Sequence, residues 1–251
     1  MIKKKDSRIY LGTSGWIYAH WSGIFYPSEI SQNKWLEYYT QYFDTVELNS
    51  SFYHLPKENT FINWRKRTPP NFLFSLKASR YITHIKKLRE AKDAWKKFIK
   101  NAQLLKEKLG PILFQLPPYL KIDLEVLEKF LKTLPPKYRY VFEPRNKTWY
   151  SPSVYQLFKK FNVSLCISST PNYPSAEVIT SDFLYLRLHG SKELYSSKYT
   201  TKELTFFAKK IKKWIKSGLD VYVYFDNDAF GYAVENALEL KGLLKDFFDR
   251  K

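Results

Sequence analysis

Phe183-Leu184-Tyr185-Leu186-Arg187-Leu188-His189 is the stretch on which the fold turns. Leucine takes every second position, and Tyr185, Arg187 and His189 stand between. Side chains alternate across a strand, so the leucines cover one face and the polar residues the other. If helices cover the leucine face, the polar face points into the interior of a closed sheet. The same alternation recurs. Val46 and Leu48 stand against Thr45, Glu47 and Asn49, and Phe72, Phe74 and Leu76 against Ser75 and Lys77. Ile112, Phe114 and Leu116 alternate with Leu113 and Gln115, Tyr140 and Phe142 with Val141 and Glu143. Val221, Val223 and Phe225 alternate with Tyr222, Tyr224 and Asp226.

Working outward, strands are expected at Arg8–Thr13, Thr45–Asn49, Phe72–Lys77, Ile112–Leu116, Arg139–Glu143, Ser164–Ile167, Phe183–His189 and Val221–Phe225. Helical periodicity falls at Lys34–Tyr42, Thr60–Arg67, Glu90–Lys108, Leu124–Lys132, Ser153–Lys160, Lys202–Ser217 and Ala229–Phe248. Only Ser168–Asp182, with Pro171 and Pro174, reads as a loop where a helix would be due. Eight strands with intervening helices in 251 residues predict an α/β protein, a single (β/α)8 TIM-type barrel. One domain spans residues 1–251, with 1–7 as a basic N-terminal extension. The first turn, Gly12-Thr13-Ser14-Gly15, lacks the dinucleotide fingerprint of an open doubly wound sheet, though its backbone N–H groups could face a phosphate.

Hydrophobic residues make up 44% and charged residues 26%, which excludes a disordered chain. No apolar run is long enough to span a membrane, and the start lacks a signal-peptide core. The single cysteine, Cys166, excludes an internal disulfide, and a cytoplasmic setting is expected. Lys and Arg number 42 against 24 Asp and Glu, a net charge of +18. That excess favours polyanions, yet most basic runs, such as Lys209-Lys210 with Lys212-Lys213, lie on expected helices, where they also read as solvated faces. The charge therefore points to a small anionic ligand or nucleic acid, or to solubility alone. It leaves the oligomeric state open.

Six strands end in inward polar residues: Glu47, Lys77, Gln115, Glu143, Arg187 or His189, and Asp226. These are the strand ends where barrels of this type place their sites. Glu47 and Glu143 lie nearly across the barrel and could act as acid and base around a ligand between them. His189 is a candidate acid. Lys77, Arg145 and Arg187 suit anionic oxygens. Loops over this end carry Trp16, Tyr18, His20, Tyr53, Arg80, His84, Trp149 and Tyr195, an aromatic platform for a base or sugar ring. The four histidines, His20, His54, His84 and His189, lack metal-ligand spacing, so no required metal is the leading reading. A single Mg2+-type ion on Glu47, Glu143 and Asp226 is the alternative.

Gly12-Thr13-Ser14-Gly15-Trp16 with Tyr18 and His20-Trp21, then Thr45 through Tyr53, open a recognisable series. Lys77 with Arg80, Thr83 and His84 follows, then Leu109 through Pro118. Glu143-Pro144-Arg145 with Trp149, Arg187-Leu188-His189-Gly190 and Tyr224-Phe225-Asp226-Asn227-Asp228 complete it. This series resembles the YecE-like family, domain of unknown function 72, from about Tyr10 to Leu244. The resemblance implies a TIM-type barrel with its pocket at the C-terminal face. It also implies a likeness to endonuclease IV and xylose-isomerase-like barrels. One departure stands out: many members resemble Glu-Phe-Arg-His at the fifth strand, whereas this chain has Glu143-Pro144-Arg145-Asn146. The set expected to bind ligand is thus Asn49, Tyr53, Lys77, Arg80, His84, Gln115, Arg145, Trp149, Arg187, Tyr195, Asp226, Asn227, Trp16, Tyr18 and His20. The leading functional expectation is an enzyme acting on a phosphorylated or nucleic-acid-derived ligand, by fold analogy a phosphoester hydrolase. The alternatives are a carbohydrate-active or isomerase-like enzyme and a non-catalytic nucleic-acid-binding barrel.

Overall fold

Strand and helix alternate from end to end in a computed structural model that describes residues 7–248. Residues 1–6 of the basic extension lie outside the described residues. The strands are β1 (Ile9–Thr13), β2 (Thr45–Leu48), β3 (Leu73–Lys77), β4 (Leu109–Gln115), β5 (Tyr140–Glu143), β6 (Val163–Leu165), β7 (Ile167–Ser169), β8 (Phe183–Leu188) and β9 (Asp220–Phe225). The helices are α1 (Trp35–Tyr39), α2 (Ser50–Tyr53), α3 (Glu58–Lys66), α4 (Lys92–Ala102), α5 (Leu124–Lys132), α6 (Pro152–Lys160), α7 (Thr201–Lys216), α8 (Tyr232–Leu243) and α9 (Lys245–Phe248).

Backbone pairing differs from the single closed sheet of eight strands that was expected. The strands form two parallel sheets, ordered β1-β9-β8-β7 and β2-β3-β4-β5-β6. The expected sixth strand divides at Cys166. Val163–Leu165 pairs with β5, whereas Ile167–Ser169 pairs with β8. Cys166 N–H still donates to Phe142 O at 2.8 Å, so the chain changes sheets within one residue. At the other boundary, a Cβ on Gly12 would collide with Thr45 O, which lets β1 pass close to β2. The Tyr39 hydroxyl bridges this gap, accepting from Thr13 N–H at 3.0 Å and donating to Thr45 O at 3.1 Å.

The strand alternation sorts buried side chains into two clusters. Val46, Leu48, Phe74, Leu76, Phe114, Phe142, Leu184, Leu186, Leu188 and Val223 pack with the helices. Leu113, Val141, Cys166, Phe183, Tyr185, Tyr222 and Tyr224 form the second cluster on the opposite strand faces. Deleting one of the outer leucines, such as Leu186, would cost about 2–5 kcal/mol. Two expected helices are interrupted. The one from Glu90 to Lys108 gives way to a 3-10 turn over Gln103–Lys108, where Lys106 has φ 52°. There Lys108 Nζ donates to Arg65 O at 2.7 Å and Thr68 O at 2.6 Å, capping the end of α3. The last helix starts only at Tyr232, after Gly231 at φ 76°, and breaks at Leu244. Helix α2 and a π-helical turn over Tyr81–Ile85 were not anticipated. Lys86 N–H reaches back five residues to Tyr81 O, which widens the turn around Thr83 and His84. No helix among the described residues is long and apolar enough to cross a membrane.

Candidate functional site

Arg187 sits at the centre of the inward polar residues and is 1% exposed. Its Nε donates to Glu47 Oε2 at 3.0 Å and its Nη2 to Glu47 Oε1 at 2.7 Å. Nη1 donates to Glu143 Oε2 at 2.9 Å, and Nη2 to Asp226 Oδ2 at 2.9 Å. Alternation delivers these groups. Glu47 is the next-to-last residue of β2, Glu143 ends β5, and Asp226 follows β9. Neighbouring strands hold them level, with Gln115 beside Glu143 and Arg187 beside Tyr224. The gap expected between Glu47 and Glu143 is therefore filled by a guanidinium, not open to a ligand.

The carboxylates are held from behind as well. Ser14 Oγ donates to Glu47 Oε1 at 2.8 Å, and the Tyr185 hydroxyl to Oε2 at 2.6 Å. Gln115 Nε2 donates to Glu143 Oε2 at 2.7 Å, and Ser168 Oγ to Oε1 at 3.1 Å. His189 Nε2 lies 2.7 Å from Glu143 Oε1. Its Nδ1 is 2.9 Å from Asp226 Oδ2, an ionic contact without hydrogen-bond alignment. Burial alone would push Glu143 up, but Arg187 and then His189 hold it well below the usual carboxylate range. Asp226 is likewise lowered against its burial, by Arg187 and His189. Burial would push His189 down, but Glu143 and Asp226 raise it, so the ring stays protonated further up the pH scale.

Around this closed network lies a second group of a different kind. Lys77 is 8% exposed, and its Nζ rests 4.3 Å from the Phe52 ring centroid. Among the described residues Lys77, Arg80 and Arg145 enter no salt bridge. Arg145 Nη2 donates to the Tyr195 hydroxyl at 3.1 Å, and its guanidinium lies 4.4 Å from the Tyr173 centroid. Its Nε is buried without a hydrogen-bond partner. Burial, then Arg187, lowers Lys77 to about 8. His84 is pushed down to about 4 by burial and by the charges of Lys77, Arg80 and Arg145. One histidine thus senses three cations together. Asp226 uses Oδ2 for both Arg187 and His189, leaving Oδ1 without a hydrogen bond among the described residues. Asn49 Oδ1 is also buried without a partner. Burial and Asp226 raise Asp228 to about 6.

The family model described as "Protein of unknown function DUF72" matches residues 10–250. The chain belongs to the DUF72 family. It is 27% identical to the UPF0759 protein YunF of Bacillus subtilis, covering 94% of each chain. It is 30% identical over 144 residues to the UPF0759 protein YecE of Escherichia coli K12, covering 57% of this chain and 50% of that one. A crystal structure of a DUF72 family protein from Thermotoga maritima superposes with TM-score 0.86 at 28% identity, covering 95% of this chain and 99% of the other.

Within this DUF72 chain the remaining expected residues divide. Tyr53 is 70% exposed, Arg80 and His20 are exposed, and His84, Tyr18, Tyr195 and Asn49 are half-buried. These stand at the C-terminal strand ends with Lys77 and Arg145. Trp16 does not join them: it is buried against Trp64 and Phe74, in the layer between strands and helices. Trp149 is buried too, stacked on Phe142 with its Nε1 donating to Leu120 O at 2.8 Å. Asn227 is buried and donates to Ser197 O and Asn236 Oδ1, which anchors loops. Four of the five Arg187 N–H groups already meet carboxylates, and both His189 nitrogens do as well. The first turn offers no phosphate cradle at two of its amides, because Thr13 N–H donates to Tyr39 and Ser14 N–H to Phe225 O. An ion held by Glu47, Glu143 and Asp226 does not fit either, since the Arg187 guanidinium occupies the position between them. No group of three His, Cys, Asp or Glu suited to a metal occurs among the described residues. Sequence reasoning passed over Ser14 and Tyr185 as carboxylate holders, and Tyr173 altogether. Tyr185 had a signal, as the inward neighbour of Arg187 on its own strand. Tyr173 had none, since it lies in a loop without periodicity.

Proposed function

We propose that this chain is an enzyme acting on a phosphorylated or nucleic-acid-derived ligand at the C-terminal strand ends. The two sheets are read as two arcs of one TIM-type barrel, meeting at Gly12–Thr45 and at Cys166. The inner cluster supports this, since Leu113 and Val141 come from one sheet and Tyr185 and Tyr224 from the other. The observation that carries the functional reading is the unpaired state of Lys77, Arg80 and Arg145 beside carboxylates already committed to Arg187. Lys77 is buried and Arg145 half-buried, where a cation without a counter-ion is costly, and a ligand phosphoryl group would satisfy it; Arg80 is exposed and adds charge alone. Arg145, with its free Nε, suits such oxygens best. Asp226 Oδ1 and Asn49 Oδ1 are acceptors for a ligand hydroxyl, so proton transfer falls to Asp226 rather than to His189. Tyr53, Tyr81 and Tyr119 are exposed in the segments that follow β2, β3 and β4, at the end of α2, at the start of the π-helical turn and in a turn. Lys86 and Lys87 lie near the latter two rings. Bases can stack on such rings. A single buried cysteine and no membrane-spanning helix among the described residues accord with a cytoplasmic setting.

Thermal unfolding with nucleotides, short oligonucleotides, sugar phosphates and neutral sugars tests this. A ligand at 100 times its Kd adds about 2.7 kcal/mol of stability. Phosphorylated ligands are expected to stabilise wild type, with affinity falling at least about tenfold in Arg145→Ala. Stabilisation by neutral sugars alone would overturn the reading in favour of a carbohydrate enzyme.

A further inference from the structure

Lys77 is treated differently from the other deeply buried cations. Lys108 is fixed by Arg65 O, Thr68 O and Thr68 Oγ1, and Arg187 by three carboxylates. Lys77 has only the face of Phe52, at 4.3 Å, and no hydrogen bond or ion pair among the described residues. An aromatic face tolerates an ammonium and also packs well against a neutral amine. Burial and the like charge of Arg187 bring its pKa to about 8, so roughly a tenth is free amine at pH 7. Arg80 and Arg145 supply the anion-binding role without it.

We propose that Lys77 is a nucleophilic amine that forms an imine with the carbonyl carbon of a phosphorylated aldehyde or ketone. This rests on the reading of Arg80 and Arg145 as the phosphoryl-binding corner. The Nζ lone pair forms the C–N bond while the carbonyl π pair moves onto oxygen. That oxygen takes two protons and leaves as water. The net change is ammonium plus carbonyl to protonated imine plus water, so no oxidant or reductant is needed. The proton transfers between nitrogen and oxygen are assigned to Asp226, whose charge acts on Lys77 and whose Oδ1 has no hydrogen bond among the described residues.

The test treats the full chain with pyridoxal 5′-phosphate or with pyridoxal, reduces with borohydride, and maps modified lysines by mass spectrometry. At pH 7 Lys77 is expected to react at least about tenfold faster than surface lysines, whose amine fraction is far smaller. Its rate should level off above about pH 8, while surface lysines keep gaining toward pH 10. Prior addition of inorganic phosphate should slow the phosphorylated probe, and Arg145→Ala should slow that probe but not pyridoxal. Lys77→Arg should lose the fast phase. Equal rates for both probes at Lys77 would uphold the imine and remove the phosphoryl corner. Label spread over surface lysines, with Lys77 no faster, would overturn the imine whatever the phosphate result.

Discussion

The two ends of the strands each hold an arginine, half-buried at one end and buried at the other, and the two are handled in opposite ways. At the N-terminal end Arg139 Nη2 meets Asp220 Oδ2 at 2.7 Å and Nη1 the Tyr222 hydroxyl at 2.7 Å. Its guanidinium lies over the rings of Phe183 and Tyr222, and Tyr10 stacks on Tyr222 at 4.6 Å. Asp220 also accepts from Arg8 N–H at 2.9 Å. Charge is matched by charge and sealed with aromatic surface, as in a plug. At the C-terminal end Arg187 carries three carboxylates and a histidine, while Lys77, Arg80 and Arg145 have no carboxylate partner among the described residues. Charges that could have cancelled are kept apart. Stability favours the first arrangement, whereas a ligand site requires something like the second.

Breaking each arginine should show this contrast at its largest. Arg187→Met strands three buried carboxylates and is expected to cost about 3–5 kcal/mol in urea unfolding. Arg139→Met, whose side chain is 24% exposed, should cost about half as much. Equal losses would erase the distinction between the two ends. A smaller effect is expected in acid. Because Glu143 is depressed in the folded state, its stabilisation is present above its ordinary value of 4.5 and is lost as pH falls through the lower folded value. Glu143→Gln should therefore flatten the acid limb of the stability–pH curve below about pH 5. An unchanged limb would mean that Arg187 and His189 do not hold this carboxyl ionised.

The smallest effect has the opposite sign. Lys77 is lowered in the folded state, so the unfolded chain binds more protons between about 8 and 10.5, and stability rises with pH there. Lys77→Met should remove that rise and at pH 7 stabilise the fold by about 1 kcal/mol. A clear loss of stability would make Lys77 a structural cation and would bring the two ends of the molecule closer in kind.

Much of this was legible in the alternation of single strands. Arg187 and His189 stand on one parity with Tyr185, and Glu47 is flanked by Val46 and Leu48, so their inward direction follows locally. Trp16 and Trp149 show the limit of that reading. An aromatic residue in a loop can face a ligand or fold back onto the core, and only the positions of Phe74 and Phe142 decide which. Lys106 and Cys166 show it for the backbone, where a helix or strand that looks continuous is broken by what its ends must reach.

The sequence by itself determined the order of strands and helices, the face each strand turns inward, and the set of charged groups at the strand ends. Period and polarity are properties of neighbouring residues, so they survive without a fold. The tertiary structure decided which carboxylates close on Arg187, that Lys77 meets an aromatic ring and no carboxylate among the described residues, and where the backbone passes from one sheet to the other. Those outcomes depend on distances between residues up to 140 positions apart, as between Glu47 and Arg187, and no local pattern encodes them.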